Sequence, residues 1–416
     1  MRGAAADPGR LGELVILGLR RNRRRAHLLV STVLGKHIPT RPAAVRAGAD
    51  ALGDAVIAAL GAQAAADGTV LGFAETATGL GHAVAERISA AVSLHSTRRH
   101  PPGAQVYGTF EEGHSHATTH LLQPSSAGLL RSSPAAPLIL VDDEISTGST
   151  ALRTIAALHA IAPRTHYVIA ALVDVRSADH RAATAQAAAE LGVRIDHVAL
   201  AQGSITLPDG LVDAVWERTP DPLNPVAGHR GSVSEVRPDW PAGLPESGRH
   251  GMLRTESAAF HRATAAAAAQ VLGRLDPGRE TVVVGHEELM YLPLCLAEEL
   301  ARAGVPTRYQ TTTRSPAFVA DLDGYPLRRG FTFLAPESDP GTPRFLYNVT
   351  PPGSPRDAPP PQVLLVVDDP ADTDLLRTEG GLLDVLTAAG HDVCVAIVPA
   401  TAQGALADRA LPGVSA

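Results

Sequence analysis

Short apolar runs alternate with alanine-rich or amphipathic segments of helix length along most of the chain. The spacing predicts a helix over residues 46–66, a buried strand over 69–73 and a helix over 80–91. A strand over 92–97 follows, then a stretch rich in Gly, His, Ser and Pro as far as residue 137. Strands over 138–141, 167–173 and 195–199 alternate with helices over 150–160 and 178–191. Helix-length segments between short apolar runs predict an α/β fold, a parallel sheet with crossover helices.

The same order recurs further on. A helix over 257–272 precedes a strand over 281–284, a helix over 292–303 and a strand over 307–312. After a long loop region, a strand over 362–367, a helix to about residue 389 and a strand over 393–398 close the series. The wording matches as well: residues 70–75 (VLGFAE) answer 283–288 (VVGHEE), 138–144 (LILVDDE) answer 364–370 (LLVVDDP), and Ser96-Thr97-Arg98 answers Thr312-Thr313-Arg314. We read an internal duplication, with a second α/β domain that is a degenerate copy of the first. Proline at high density over 219–248 prevents a continuous helix or a central strand. The expected organisation is therefore a domain over 20–219, a linker over 220–248 and a domain over 249–410. A second proline-rich stretch, 350–361, is expected to be a surface loop.

Composition narrows the classes. A chain of 416 residues favours two domains, and 45% hydrophobic with 19% charged residues excludes a disordered chain. A net charge of −7 argues against nucleic acid or anionic membrane as a partner bound through bulk charge. Two cysteines cannot make a disulfide framework or a cysteine zinc site. No apolar run approaches the ~20 residues a bilayer span needs. Residues 26–34, after the basic run 20–25, mimic a signal peptide, but Gly35-Lys36-His37 ends them. The expectation is a soluble cytoplasmic enzyme. Lys36 is the sole lysine among 36 basic residues, a place where a compact ammonium is needed or an accident of drift.

The stretch 138–150, LILVDDEISTGST, carries the most chemistry. Four apolar residues make a buried strand with Asp142 and Asp143 at its carboxyl end, where ligands of open α/β sheets bind. Ser146, Thr147, Gly148, Ser149 and Thr150 make a small hydroxyl-rich turn that opens a helix and offers N–H groups to a phosphate. Adjacent carboxylates beside such a cradle suit ribose hydroxyls, or Mg²⁺ that also touches a diphosphate. The ordinary alternative is a plain strand-to-helix turn.

This stretch resembles the motif with which type I phosphoribosyltransferases bind 5-phosphoribosyl 1-pyrophosphate (PRPP). The resemblance implies that Asp142 and Asp143 bind the ribose hydroxyls and metal, and that residues 146–150 hold the 5′-phosphate. Glu144 departs from the motif, which has an aliphatic residue there. It implies further that Thr76, Ala77 and Thr78, in the turn 74–79, meet the pyrophosphate, where Glu75 is awkward unless it binds metal or orients a neighbour. Residues 110–120 fall where the family has a mobile lid, which would present His114 or His116 to the diphosphate. The rival readings are a Zn²⁺ shared by His114, His116 and His120, or a plain solvated loop. Arg98 and Arg99 precede this lid and are candidates to pair with pyrophosphate. Lys36-His37 would belong to an N-terminal hood over the acceptor, and the arginines of 20–25 read equally well as a solvated face.

Residues 35–39 (GKHIP), 74–79 (AETATG), 114–120 (HSHATTH) and 141–150 (VDDEISTGST) together resemble a bacterial orotate-phosphoribosyltransferase-like subfamily whose second domain is named for a Thr-Arg-Ser-Pro signature, here residues 313–316. Such proteins are associated with tellurium-resistance and stress-response gene clusters, where a nucleoside-like metabolite is predicted to be made. The implied reaction uses PRPP and Mg²⁺ to place a ribosyl phosphate on a small base-like acceptor, with Lys36, Arg98 and the lid histidines neutralising the departing pyrophosphate. A homodimer is open. Ser146 stands where 6-oxopurine enzymes of this fold carry an aspartate, which disfavours hypoxanthine-type acceptors. The rival readings are a non-catalytic PRPP-binding regulator and a zinc hydrolase. In the second domain Asp368 and Asp369 keep the acidic pair but residues 370–374 (PADTD) replace the phosphate turn. A modified site for a different ligand is expected there, with Arg314 and Ser315 as contacts.

Overall fold

Burial on both faces is what uninterrupted Val, Leu and Ile runs demand, and two parallel sheets supply it. The computed structural model describes residues 10–409 apart from 24, 102, 112–118, 132–133, 338–341 and 352–358. One sheet runs in the order Met252–Leu253, Val92–His95, Thr69–Gly72, Leu138–Ile145, His166–Asp174 and Arg194–Gln202. All its strands are parallel except Met252–Leu253. The other runs Thr307–Thr311, Thr281–Gly285, Gln362–Asp368, Val393–Val398 and Val233–Val236, wholly parallel. Four strands in each sheet therefore occupy matching places in matching chain order. An antiparallel hairpin follows the matching strand, Val92–His95 or Thr307–Thr311, in both halves: Gly108–Glu111 with Thr119–Leu122 and Gly330–Leu334 with Pro343–Tyr347.

The halves are stitched together by exchange. Thr40, just before the helix Pro42–Leu60, pairs with Tyr309 of the C-terminal sheet. Met252–Leu253, just before the helix Ser257–Leu272, pairs with Val92 and Ser93 of the N-terminal sheet. One apolar core spans both, uniting Leu52, Val70 and Val141 with Leu292, Leu296 and Val366. Gly35 lets the first exchanged segment lie flat on the partner half. Its φ is +77°, and a Cβ there would stand 2.6 Å from the Tyr309 ring.

Several expected elements change. The helix over 46–66 is two, Pro42–Leu60 and Ala62–Asp67, broken at Gly61 with φ +83°. The proline-rich linker contributes an edge strand, Val233–Val236, from a proline-free window within it. Residues 26–34 include the strand His27–Ser31, which pairs antiparallel with Val15–Leu19, and the arginine run lies in the turn between them. Among the described residues no helix is long and apolar enough to cross a membrane.

Candidate functional site

The central strand Leu138–Ile145 runs four residues further than its apolar core, because its register with the strand His166–Asp174 continues through Asp142, Glu144 and Ile145. Asp142 and Asp143 thus sit on the strand, half-buried, with the Asp143 amide donating to Asp142 Oδ1 at 2.9 Å. Ser146 and Thr147 follow, and Gly148 turns the chain in the left-handed region (φ +79°) to cap the helix Ser149–Ile161. Thr147 Oγ1 accepts from the Ser149 amide at 3.2 Å and donates to Ser149 Oγ at 3.0 Å. The hydroxyl-rich turn and Thr150 therefore stand at a helix N-terminus beside the two carboxylates, an arrangement suited to a phosphorylated sugar. Arg176, buried beneath the turn and paired with Asp174 at 2.7 Å, was missed by sequence reasoning. Its place at the end of the next strand was the available signal.

Glu144, the departure from the motif, pairs with Arg25 of the N-terminal hairpin. Burial raises its carboxyl above the ordinary value, and Arg25 opposes that rise. The arginine run is therefore not wholly a solvated face: Arg25 docks beside the acidic pair, while Arg21 and Arg23 stack on Trp216. Burial, then Arg25 and Arg20, push His27 down to about 4, and burial, then Lys36 and Arg20, hold His37 well below its usual value. Both rings are thus neutral bases near pH 7 in a cationic hood.

The turn 74–78 lies across the strand ends from the acidic pair. Lys36 Nζ donates to Thr76 Oγ1 at 2.7 Å, which brings the hood's ammonium to this loop. The Ala74 amide donates to Ser96 Oγ at 2.9 Å, and Ala77 and Thr78 are buried at the head of the helix Thr78–Arg87. Thr78 Oγ1 donates to the Glu288 carbonyl of the C-terminal half at 2.9 Å. Glu75 turns away from any ligand of this loop and accepts from Thr313 Oγ1 at 2.6 Å and the Arg314 amide at 3.0 Å. It orients a neighbour, which resolves its awkward presence.

The lid is described only at its base. His114 and His116 lie outside the described residues. His120 is buried, stacks on Phe110 at 4.7 Å between ring centres and bonds Ser96 Oγ through Nδ1 at 2.9 Å. Its Nε2 lies 3.4 Å from Arg98 Nη2, so both ring nitrogens face protein groups. The Arg98 amide donates to Glu288 Oε1 at 2.7 Å, and Thr97 Oγ1 donates to Glu288 Oε2 at 2.6 Å.

The C-terminal strand end differs from the expected ligand site and corrects it. Asp368 is 1% exposed and takes both its oxygens to Arg99 Nη1, at 2.9 and 2.8 Å, with Arg249 at 3.5 Å. Burial would raise the Asp368 carboxyl, but Arg99 and Arg249 outweigh it and hold it below the usual range. Asp369 faces solvent beside Arg237 at 3.4 Å. Arg314 bridges Glu287 and Glu75, so it and Ser315 lie toward the N-terminal loop instead of a pocket beside Asp368. Arg99 likewise points away from the turn 74–78, toward Asp368 and Glu337. His286, Glu287 and Glu337 are the one metal-spaced group among the described residues. Arg99, Arg314 and Arg344 already neutralise its two carboxylates.

A parallel sheet whose strand end joins paired carboxylates to a phosphate turn defines a phosphoribosyltransferase-type domain. Residues 14–204 match the family model described as phosphoribosyl transferase, and residues 246–386 match the TRSP domain that lies C-terminal to it. The chain thus carries a phosphoribosyl transferase domain followed by a TRSP domain. Similar solved structures include the adenine phosphoribosyltransferase of Giardia lamblia complexed with 9-deazaadenine, at 15% identity and a TM-score of 0.32, covering 48% of this chain and 100% of that one. The Trypanosoma brucei enzyme, in complex with AMP, pyrophosphate and ribose-5-phosphate, matches at 12% identity and 0.34, covering 51% and 95%. That of Leishmania donovani matches at 16% and 0.33, covering 50% and 91%. No curated protein matches the chain.

Proposed function

We propose that the N-terminal site transfers the ribosyl phosphate of PRPP to a nitrogen of a small base-like acceptor. The C1′–N bond forms as the C1′–O bond breaks, and pyrophosphate leaves with the electron pair. The observation that carries this reading is the half-buried Asp142–Asp143 pair set directly before the Thr147–Thr150 turn at a helix N-terminus. The transition state has oxocarbenium character, so catalysis is positioning and charge stabilisation. Asp142 and Asp143 hold the ribose hydroxyls and favour the positive sugar, while the 146–150 turn holds the 5′-phosphate. The 76–78 loop meets the pyrophosphate, with Lys36 beside Thr76 as the neutralising charge; Arg98 and the lid residues His114 and His116 are further candidates.

An all-oxygen set from Asp142 and Asp143 fits Mg²⁺, which would screen the diphosphate when bound. Ser146 offers no carboxylate to act as base, which favours an orotate-like acceptor over a 6-oxopurine. Burial and neighbouring cations make His27 and His37 poor bases, so an acceptor proton leaves to solvent or with the pyrophosphate. A cytoplasmic role in making a nucleoside-like metabolite, alongside tellurium-resistance genes, goes with this reading. The test is pyrophosphate release from PRPP with Mg²⁺ and a panel of bases. PRPP binding without release for any base would favour a non-catalytic regulator.

A further inference from the structure

We propose that the Thr313-Arg314-Ser315 turn of the C-terminal half is a working part of the N-terminal site. Thr313 and Arg314 hold the Glu75 loop in position, and Ser315 keeps open the space before Asp143 that Arg99 closes at the equivalent place before Asp368. The inference rests on the phosphoribosyl-transfer reading of that site.

The warrant is a reciprocity between the halves. Glu75 accepts from Thr313 Oγ1 and the Arg314 amide, and Glu288, three residues beyond the equivalent strand glycine, accepts from Thr97 Oγ1 and the Arg98 amide. The two turns share their internal geometry. The Arg99 amide donates to Thr97 Oγ1 at 3.0 Å, and the Ser315 amide donates to Thr313 Oγ1 at 3.1 Å. Each turn is tied to its own hairpin, Thr97 to Leu121 and Thr313 to Phe345. Gly35-Lys36-His37 and Gly248-Arg249-His250 match as the segments that precede the two exchanged pairings.

The Gly72–Val141 and Gly285–Val366 registers fix the two-fold relation: Ser315 is the mate of Arg99, and Asp143 is the mate of Asp368. Arg99 crosses from the N-terminal half to chelate Asp368. A serine at the mated position is too short to cross, so Asp143 is not chelated from the opposite half as Asp368 is. A guanidinium there would be an internal competitor, lowering apparent affinity by the fraction of time it occupies the site. Glu75 shows a second asymmetry with one cause: its loop carries Thr76 and Ala77 where the mate carries Leu289 and Met290, so only this loop offers a hydroxyl to a ligand. Fixing Glu75 from across the interface therefore positions a loop that binds, whereas fixing Glu288 closes one that does not.

The experiment is calorimetric titration of the full chain with PRPP and Mg²⁺, with thermal unfolding followed in parallel. Ser315→Arg is expected to weaken PRPP binding by about 100-fold or more. Thr313→Val, which removes a hydrogen bond to a charged group, is expected to raise the PRPP Kd about tenfold, and Thr313→Ser restores it. Glu298→Gln breaks the Arg46–Glu298 pair at the same interface, far from the turn, and is expected to lower the unfolding midpoint with the Kd unchanged. Wild-type Kd in a folded Ser315→Arg overturns the open-site half of the inference. Equal Kd values in Thr313→Val and Glu298→Gln overturn the positioning half, even if Ser315→Arg fails to fold. No binding by the wild-type chain removes the phosphoribosyl reading and the inference together, a result distinct from binding that the variants leave untouched.

Discussion

The strands Leu138–Ile145 and Gln362–Asp368 hold equivalent places in their sheets, and an Asp-Asp pair marks the carboxyl end of each apolar run. In the N-terminal half the pair is half-buried before a Thr-Gly-Ser-Thr turn at a helix N-terminus. In the C-terminal half the first aspartate is sealed under Arg99 and Arg249, the second points to solvent, and a Pro-Ala-Asp-Thr-Asp segment follows. The same letters thus stand half-buried beside a helix N-terminus in one place and serve cohesion in the other. A buried carboxylate survives only if a cation compensates its lost hydration, and in the C-terminal half that cation comes from the opposite half.

The comparison can be broken first at Arg99. Arg99→Met leaves Asp368 and Glu337 buried beside fewer cations and is expected to cost about 3–5 kcal/mol of stability, read by denaturant unfolding. A change below 1 kcal/mol would mean the ionic lock is not what holds the halves together. Next comes the acidic pair. Asp142→Ala and Asp143→Ala are expected to lower turnover of PRPP by about 10²–10³ with unfolding unchanged, because these side chains face the ligand side. Wild-type rates in either would remove the site assignment.

Acid separates two further groups. Burial pushes His95, at the end of the strand Val92–His95 next to Thr69–Gly72, from 6.5 to about 4. Its folded value lies below its unfolded one, so the neutral ring contributes stability that is complete above pH 6.5 and lost as pH falls toward 4. That is about 3 kcal/mol at most. The depressed carboxyls of Asp368 and Glu288 keep their contribution in that window and lose it only below their unfolded values of 3.8 and 4.5. Stability measured from pH 8 to 3 should therefore fall in two stages, and a flat profile down to pH 4 would contradict the buried neutral His95. Smaller again is Lys36→Arg, expected to cut turnover about tenfold, since a forked guanidinium does not replace a compact ammonium at Thr76; full activity would make the lone lysine an accident of drift. The smallest effect belongs to Asp369→Ala, which removes an exposed pair with Arg237 and is expected to cost under about 1 kcal/mol.

Local signals made much of this legible in the chain. Apolar runs of strand length, alanine-rich helices and the 138–150 stretch announce two α/β units and one strand-end site, because burial periodicity and turn chemistry are properties of neighbouring residues. The matched phrases at 70–75 and 283–288 announce the duplication for the same reason. What stayed hidden depends on pairs far apart in sequence. Nothing near residue 75 says that its carboxylate meets Thr313, and nothing near residue 368 says that Arg99 seals it. Asp368 and Asp143 look alike as letters, and the sequence by itself determined only that both end a buried strand. Which of them a cation seals was decided by the exchange of segments between halves. That exchange carries one arginine and one serine to equivalent positions, and only the arginine is long enough to reach across.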